Sequence, residues 1–205
     1  MRNIALILLL FTNFIRCFPH LIVFYLHPNK TIIKSDISAW LKTLKKQYKI
    51  PIGLVYLLGL YPEYRNLFYH RIGNSKYFLN FFCRKMQSLN IDGYVKIGEG
   101  FFINHGFATA IGAKSIGKNC RVNHQVTIGD YVGGKPVILD NVHIHSGAVI
   151  IGNVTVGNNS VIGANASVFK DVPDNCTVFP AQSFYMKWNK KVDNTLEDIV
   201  SNSEH

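Results

Sequence analysis

Two histidines, His105 and His124, each stand two residues past an aliphatic residue, Ile103 and Val122. Two further aliphatic residues, Ile144 and Ile162, are followed at the same distance by Ser146 and Ala164. If the four aliphatic residues stack, the four partners form one column on an outer edge. Two imidazoles then head a strip of two small side chains. Such a strip suits a long thin ligand whose reactive end meets a histidine. Imidazole is the side chain best poised to take a proton near neutral pH. A zinc site is the competing chemistry, since His143 and His145 lie nearby. Those two are two residues apart on a strand, so they face opposite sides and do not converge on one ion. No metal is expected.

The stacking follows from a period of six. Ile91, Ile97 and Ile103 keep step, then Ile116, Val122 and Ile128, then Ile138, Ile144, Ile150, Val156, Ile162 and Val168. A helix would throw successive sixth residues off its apolar face. A chain that turns a corner every six residues keeps them all inward, with Gly and Asn at corners that need φ > 0. Hexapeptide periodicity is the signature of a parallel β-helix whose coils stack about 4.8 Å apart. Smaller inward residues fall four positions later, among them Cys120, Val126, Ala148, Ser160 and Ala166. Two interruptions break the count. One extra residue falls near "GFATAIG", and a loop, "DYVGGKP", bulges between Ile128 and Ile138. Loops on a solenoid commonly carry binding function.

The remaining chain must support that solenoid. The expected division is a helical region with an apolar leader over 1–90, the β-helix over 91–177, and a tail over 178–205. "SDISAWLKTLKKQY" reads as an amphipathic helix capped by Ser35 or Asp36, with Ile37, Trp40, Leu41, Leu44 and Tyr48 on its apolar stripe and Pro51 ending it. Pro62 starts and Gly73 stops another helix, and "KYFLNFFCRKMQSL" reads as a last one. Residues 1–30 carry Asn13, Arg16, Pro19 and His20 within the apolar run. That pattern favours helices lying in the membrane interface or packed on other subunits over a simple span. The net charge is +10, and its lysines and arginines crowd the segment before Asn90. Beside apolar helices this suits an anionic membrane surface rather than nucleic acid. Cys17, Cys83, Cys120 and Cys176 show no CxxC spacing, which points to a reducing, cytoplasmic setting, on the inner membrane face if the leader binds there.

"IGEGFFINHGFATAIGAKSIGKNCRVNHQVTIG" and "GNVTVGNNSVIGANASVFKDVPDNCTV" resemble the serine acetyltransferase branch of the hexapeptide-repeat acyltransferases. Within that branch the sequence resembles most the members found in bacterial surface-polysaccharide loci. The resemblance implies an α+β chain, helical first and then a left-handed parallel β-helix, assembled as a homotrimer with active sites between neighbouring subunits. It implies that His105 takes the proton of an acceptor hydroxyl attacking acetyl-CoA; Asn104, just before it, and Asp92, the nearest acid though at a different position on the hexad, are the further catalytic candidates. The pantetheine arm would pass Gly129, Ser146, Gly147 and Ala164, and Lys170 would meet the CoA phosphates, with lysines 187, 190 and 191 as further candidates. Asn90, His124 and Lys135 are the candidate acceptor contacts. Asn90 stands where the family places the aspartate that orients the histidine. Asn104 replaces the acid before that histidine, and Gly134 and Lys135 replace the family's Arg-His pair. These departures favour a sugar hydroxyl of a surface-polysaccharide precursor as acceptor. Free serine is the alternative acceptor, and a non-catalytic trimeric scaffold the alternative role.

Overall fold

The computed structural model describes residues 2–131 and 133–181, and side chains from residue 11 onward. Five helices come first: α1 (Arg2–Leu26), α2 (Lys30–Thr43), α3 (Ile50–Leu60), α4 (Pro62–Ile72) and the single turn α5 (Lys76–Leu79). Short strands then follow: β1 (Leu89–Ile91), β2 (Lys96–Ile97), β3 (Phe102–Ile103), β4 (Thr109–Ile111), β5 (Ser115–Ile116), β6 (Arg121–Val122), β7 (Thr127–Gly129), β8 (Val137–Ile138), β9 (His143–Ile144), β10 (Val149–Ile151), β11 (Thr155–Val156), β12 (Val161–Ile162), β13 (Ser167–Val168) and β14 (Thr177–Val178). They stack into three parallel sheets, β1-β4-β7-β10-β13, β2-β5-β8-β11 and β3-β6-β9-β12-β14. This is the three-sided coil expected from the period of six.

The register places Ile103 on Val122, Val122 on Ile144 and Ile144 on Ile162, all fully or almost fully buried. Each coil of eighteen residues or so thus adds one aliphatic layer to a continuous core. One edge is held by an asparagine ladder. Asn119, Asn141, Asn159 and Asn175 all take positive φ, and each side-chain amide donates to the next carbonyl, at 3.4, 3.0 and 3.1 Å. Asparagine tolerates the left-handed corner and supplies both a donor and an acceptor for vertical stacking. At Gly117 the coils approach so closely that a Cβ would stand 2.6 Å from the Leu139 carbonyl carbon.

The interruptions resolve differently from the simple count. Ile111 pairs with Ile128, so the step from Ile103 to Ile111 is eight residues where Val122 to Ile128 is six. The next step, Ile111 to Ile116, is five. The single extra residue is therefore two added at the corner holding His105 and one removed at the next. The second interruption, as expected, falls at the loop before Lys135, where Tyr131 and Gly134 form an antiparallel bridge.

The helices seat on the first coils. The expected cap at Ser35 or Asp36 does not form, because α2 begins a turn earlier at Lys30 and Asp36 lies inside it. Asp36 is buried and paired with Arg71 of α4, Arg71 Nε to Asp36 Oδ2 at 2.9 Å. Pro51 does not end α2. It sits in the first turn of α3, the position where a missing N–H costs nothing. Of the expected stripe, Ile37, Trp40 and Leu41 are buried, while Leu44 and Tyr48 lie past the helix end and are partly buried. Pro62 and Gly73 bound α4 as expected, but only Lys76–Leu79 of the last segment is helical. Trp40 Nε1 donates to the Phe101 carbonyl at 2.8 Å, and its ring lies 4.5 Å from that of Phe102. Asn66 of α4 donates to the carbonyls of Met86 and Leu89 at 3.0 and 2.8 Å.

Helix α1 is a single continuous helix. It presents Phe11, Phe14, Ile15, Phe18, Ile22 and Leu26 to the outside along one face. Among the described residues no helix is long and apolar enough to cross a membrane. The opposite face is buried and contains His20, whose Nε2 lies 2.9 Å from the Tyr69 hydroxyl. Burial lowers its pKa from 6.5 to about 4, with Arg16 and Arg65 adding to the effect. The unfolded chain therefore binds a proton below pH 6.5 that the folded chain refuses until about pH 4. Stability from this group is complete above pH 6.5 and falls as pH drops through that window, by about 3 kcal/mol in all. Urea unfolding at pH 7, 5.5 and 4 should show a shallower loss in His20→Gln than in the wild type. Parallel curves would show that His20 does not titrate this way.

Candidate active site

The column read from the sequence is present. His105, His124, Ser146 and Ala164 lie on successive coils at the corner between the β3 sheet and the β1 sheet. The His105 and His124 rings meet edge to face, centroids 6.2 Å apart. His124 Nδ1 lies 3.4 Å from Ser146 Oγ. Ala164 is exposed one coil further on. Gly147, beside Ser146, takes φ +73, and a Cβ there would meet Asn165 Oδ1 at 2.1 Å, so the strip stays bare at that level.

The corner at His105 is built unlike those below it. Between paired positions, four residues, 123–126, turn the His124 corner, whereas six, 104–109, turn this one. His105, Gly106 and Ala108 all have positive φ, at 64°, 44° and 50°. A left-handed conformation costs a non-glycine residue roughly 1–2 kcal/mol, so the enlarged corner holds strain at the residue with the chemistry. Its ring is exposed at the head of the column. Asn104, half-buried, is fixed through its backbone N–H to the Val122 carbonyl at 2.8 Å.

Other expected site residues gather elsewhere. Asn90 stands on β1 opposite Ala110, on the outer face of the first sheet. Its amide donates to Asp92 Oδ1 at 2.8 Å, and the Tyr94 hydroxyl donates to Asp92 Oδ2 at 2.5 Å. Lys135 completes this second cluster, its Nζ 3.6 Å from the Tyr94 ring centroid. The Tyr94 hydroxyl raises the Lys135 pKa, with Asp130 and Asp92 adding to it. Gly129 ends β7 with open space where a Cβ would stand. Lys170 is exposed past β13, and lysines 187, 190 and 191, with the tail beyond Ala181, lie outside the described residues. Among the described residues no three His, Cys, Asp or Glu side chains gather to hold a metal.

Sequence reasoning missed Glu63. It is the second residue of α4 and only 8% exposed. A Cβ built on Gly106 would stand 3.2 Å from Glu63 Cβ, so the Glu63 stem packs on the residue that follows His105. Burial raises its pKa, opposed by its own backbone N–H and by the charge of His105. A glutamate in the first turn of a helix reads as a dipole partner. Nothing in local sequence tells that it faces a strand corner forty residues away.

The comparisons with known proteins agree with this architecture. Residues 135–170 match the family described as bacterial transferase hexapeptide (six repeats). The serine acetyltransferase of Bacillus pumilus is 35% identical, over 72% of this chain and 72% of that protein. The serine acetyltransferase of Synechococcus elongatus is 34% identical, over 62% of this chain and 57% of that protein. This chain therefore spans between about half and three quarters of the length of these relatives. The crystal structure of Neisseria gonorrhoeae serine acetyltransferase in complex with serine superposes with a TM-score of 0.58 at 26% identity, covering 74% of this chain and 66% of that one. The match gives the coil its left hand, against the usual right-handed crossover. On sequence and on fold, the chain belongs to the serine acetyltransferase branch of the hexapeptide-repeat acyltransferases.

Proposed function

We propose that this protein is an acetyl-CoA-dependent O-acetyltransferase with His105 as its general base, acting as a homotrimer whose sites lie between protomers. The observation that carries the proposal is the exposed His105 on an enlarged corner, at the head of a strip of small residues. An imidazole nitrogen of His105 takes the proton of the acceptor hydroxyl as its oxygen attacks the thioester carbonyl. The new C–O bond forms, a tetrahedral oxyanion is held by a backbone or side-chain donor, and the C–S bond then breaks. The departing CoA thiolate takes the proton from His105. Ser146, Gly147 and Ala164 leave room for the pantetheine arm along the column, with Gly129 near the loop and Lys170 toward the phosphates.

The names of the relatives support L-serine as acceptor. One observation favours a second acceptor, a sugar hydroxyl of a surface-polysaccharide precursor. Asn90 and Asn104 bring neutral amides to two positions where the resemblance implies acids, and no arginine stands in the short loop. Contact of the exposed α1 face with anionic lipid at the inner membrane surface accords with a lipid-linked precursor. One assay addresses acceptor and membrane together. Thiol release from acetyl-CoA is followed with serine, with nucleotide sugars, and with lipid-linked glycans in phosphatidylglycerol vesicles. Serine turnover alone, without co-sedimentation of protein and vesicles, would overturn the sugar and membrane readings. Thiol release with no acceptor would overturn the transferase reading.

A further inference from the structure

The resemblance calls for an acid behind His105, and neither Asn90 nor Asp92 supplies one here. Asp92 is held by Asn90 and Tyr94 within the second cluster. Glu63 arrives from another element. Pro62 fixes the start of α4, and Glu63 follows, only 8% of the residue exposed. Its position is rigid because α4 is tied down along its length. Asn66 is bonded to the Met86 and Leu89 carbonyls, and Arg71 to Asp36 and to the Ile97 and Gly98 carbonyls. The corner is shaped to receive it. Gly106 takes φ +44, and a side chain there would stand 3.2 Å from Glu63 Cβ and 3.1 Å from Leu89 Cδ2. The two residues added to this corner thus bring the backbone just after His105 against the start of α4.

We propose that Glu63 is the positioning residue for His105, backing the imidazole with negative charge from α4. This rests on the general-base role proposed for His105. When His105 takes the acceptor proton it becomes a cation, and a carboxylate whose stem packs on the next residue, Gly106, lends that cation negative charge. The other charged or titratable groups here are His124 on the next coil and Arg65 on α4. The Arg65 guanidinium is turned away to the Leu58, Gly59 and Arg84 carbonyls.

The test uses Glu63→Gln, which keeps shape and removes charge, and Glu63→Asp, which keeps charge. The pH dependence of kcat is measured for both with the acceptor that the wild type turns over. Separately, reaction of His105 with diethyl pyrocarbonate is followed against pH on the protein without substrate. In Glu63→Gln we expect kcat to fall about tenfold and KM for acetyl-CoA to hold. The acid limb of the profile, and the midpoint of His105 modification, should move down. Glu63→Asp should recover part of both. Unchanged midpoints in Glu63→Gln would overturn the proposal, as would a fall in kcat with no shift of the profile, which marks a structural role only. Failure of the parent reading looks different, with the wild type and His105→Ala releasing thiol at the same rate.

Discussion

His105→Ala is expected to lower acetyl transfer by about 10²–10⁴-fold while the proposed trimer and the melting temperature stay near wild type. The rate term follows from removing the one imidazole that stands exposed at the head of the column. The stability term follows from the corner. His105 occupies φ 64°, where any side chain is strained, and among the described residues its ring makes no hydrogen bond that holds the coil. Its backbone carbonyl accepts from Phe107 N–H at 2.5 Å, and alanine keeps that bond. His124→Gln is the informative partner. The His124 ring sits beside Ser146 Oγ, one coil away from the enlarged corner, and the proposed mechanism gives it no proton to move. Much of the activity should survive there. Thiol release and light scattering on both variants check the pair. Equal losses of activity would show that the two histidines act together and that the single-base assignment is wrong.

What the sequence could show of this fold was whatever repeats. The hexad places Ile103, Val122, Ile144 and Ile162 in one stack because stacking is a relation between residues a fixed distance apart. The same arithmetic found the column that His105 heads. It could not find the shape of the corner, because two residues gained and one lost leave a net count of one. It also could not find lateral contacts. Asp36 looked like a helix cap, since short acids favour that position. Its real partner, Arg71, lies on another helix and is invisible to local pattern. Glu63 was missed for the same reason, as its neighbour Gly106 belongs to the β-helix. The family resemblance did not help there either, since it directs attention to Asn90, whose amide here turns to Asp92.

Asp36→Leu is expected to cost about 3–5 kcal/mol of stability, more than any surface change in this chain. Asp36 is 1% exposed and gathers three donors. Arg71 gives it Nε at 2.9 Å and Nη2 at 3.3 Å, and the Gly100 N–H reaches Oδ1 at 2.8 Å. Burial pushes its carboxyl upward in pKa, and Arg71 pulls against that. Removing the acid strands a buried guanidinium, which retains only the Ile97 and Gly98 carbonyls. A stranded charge costs more than an absent pair, so Asp36→Leu with Arg71→Met should recover much of the loss. Urea midpoints of the two singles and the double measure this directly. A double variant that loses as much as the sum of the singles would show that the pair acts as two independent anchors. The link to chemistry is mechanical. Asp36 joins α2, α4 and the first coil at one point, and α4 carries Glu63 to the His105 corner. Loosening that joint at temperatures where Asp36→Leu remains folded should therefore lower kcat while KM for acetyl-CoA, whose proposed path lies further down the column, changes little.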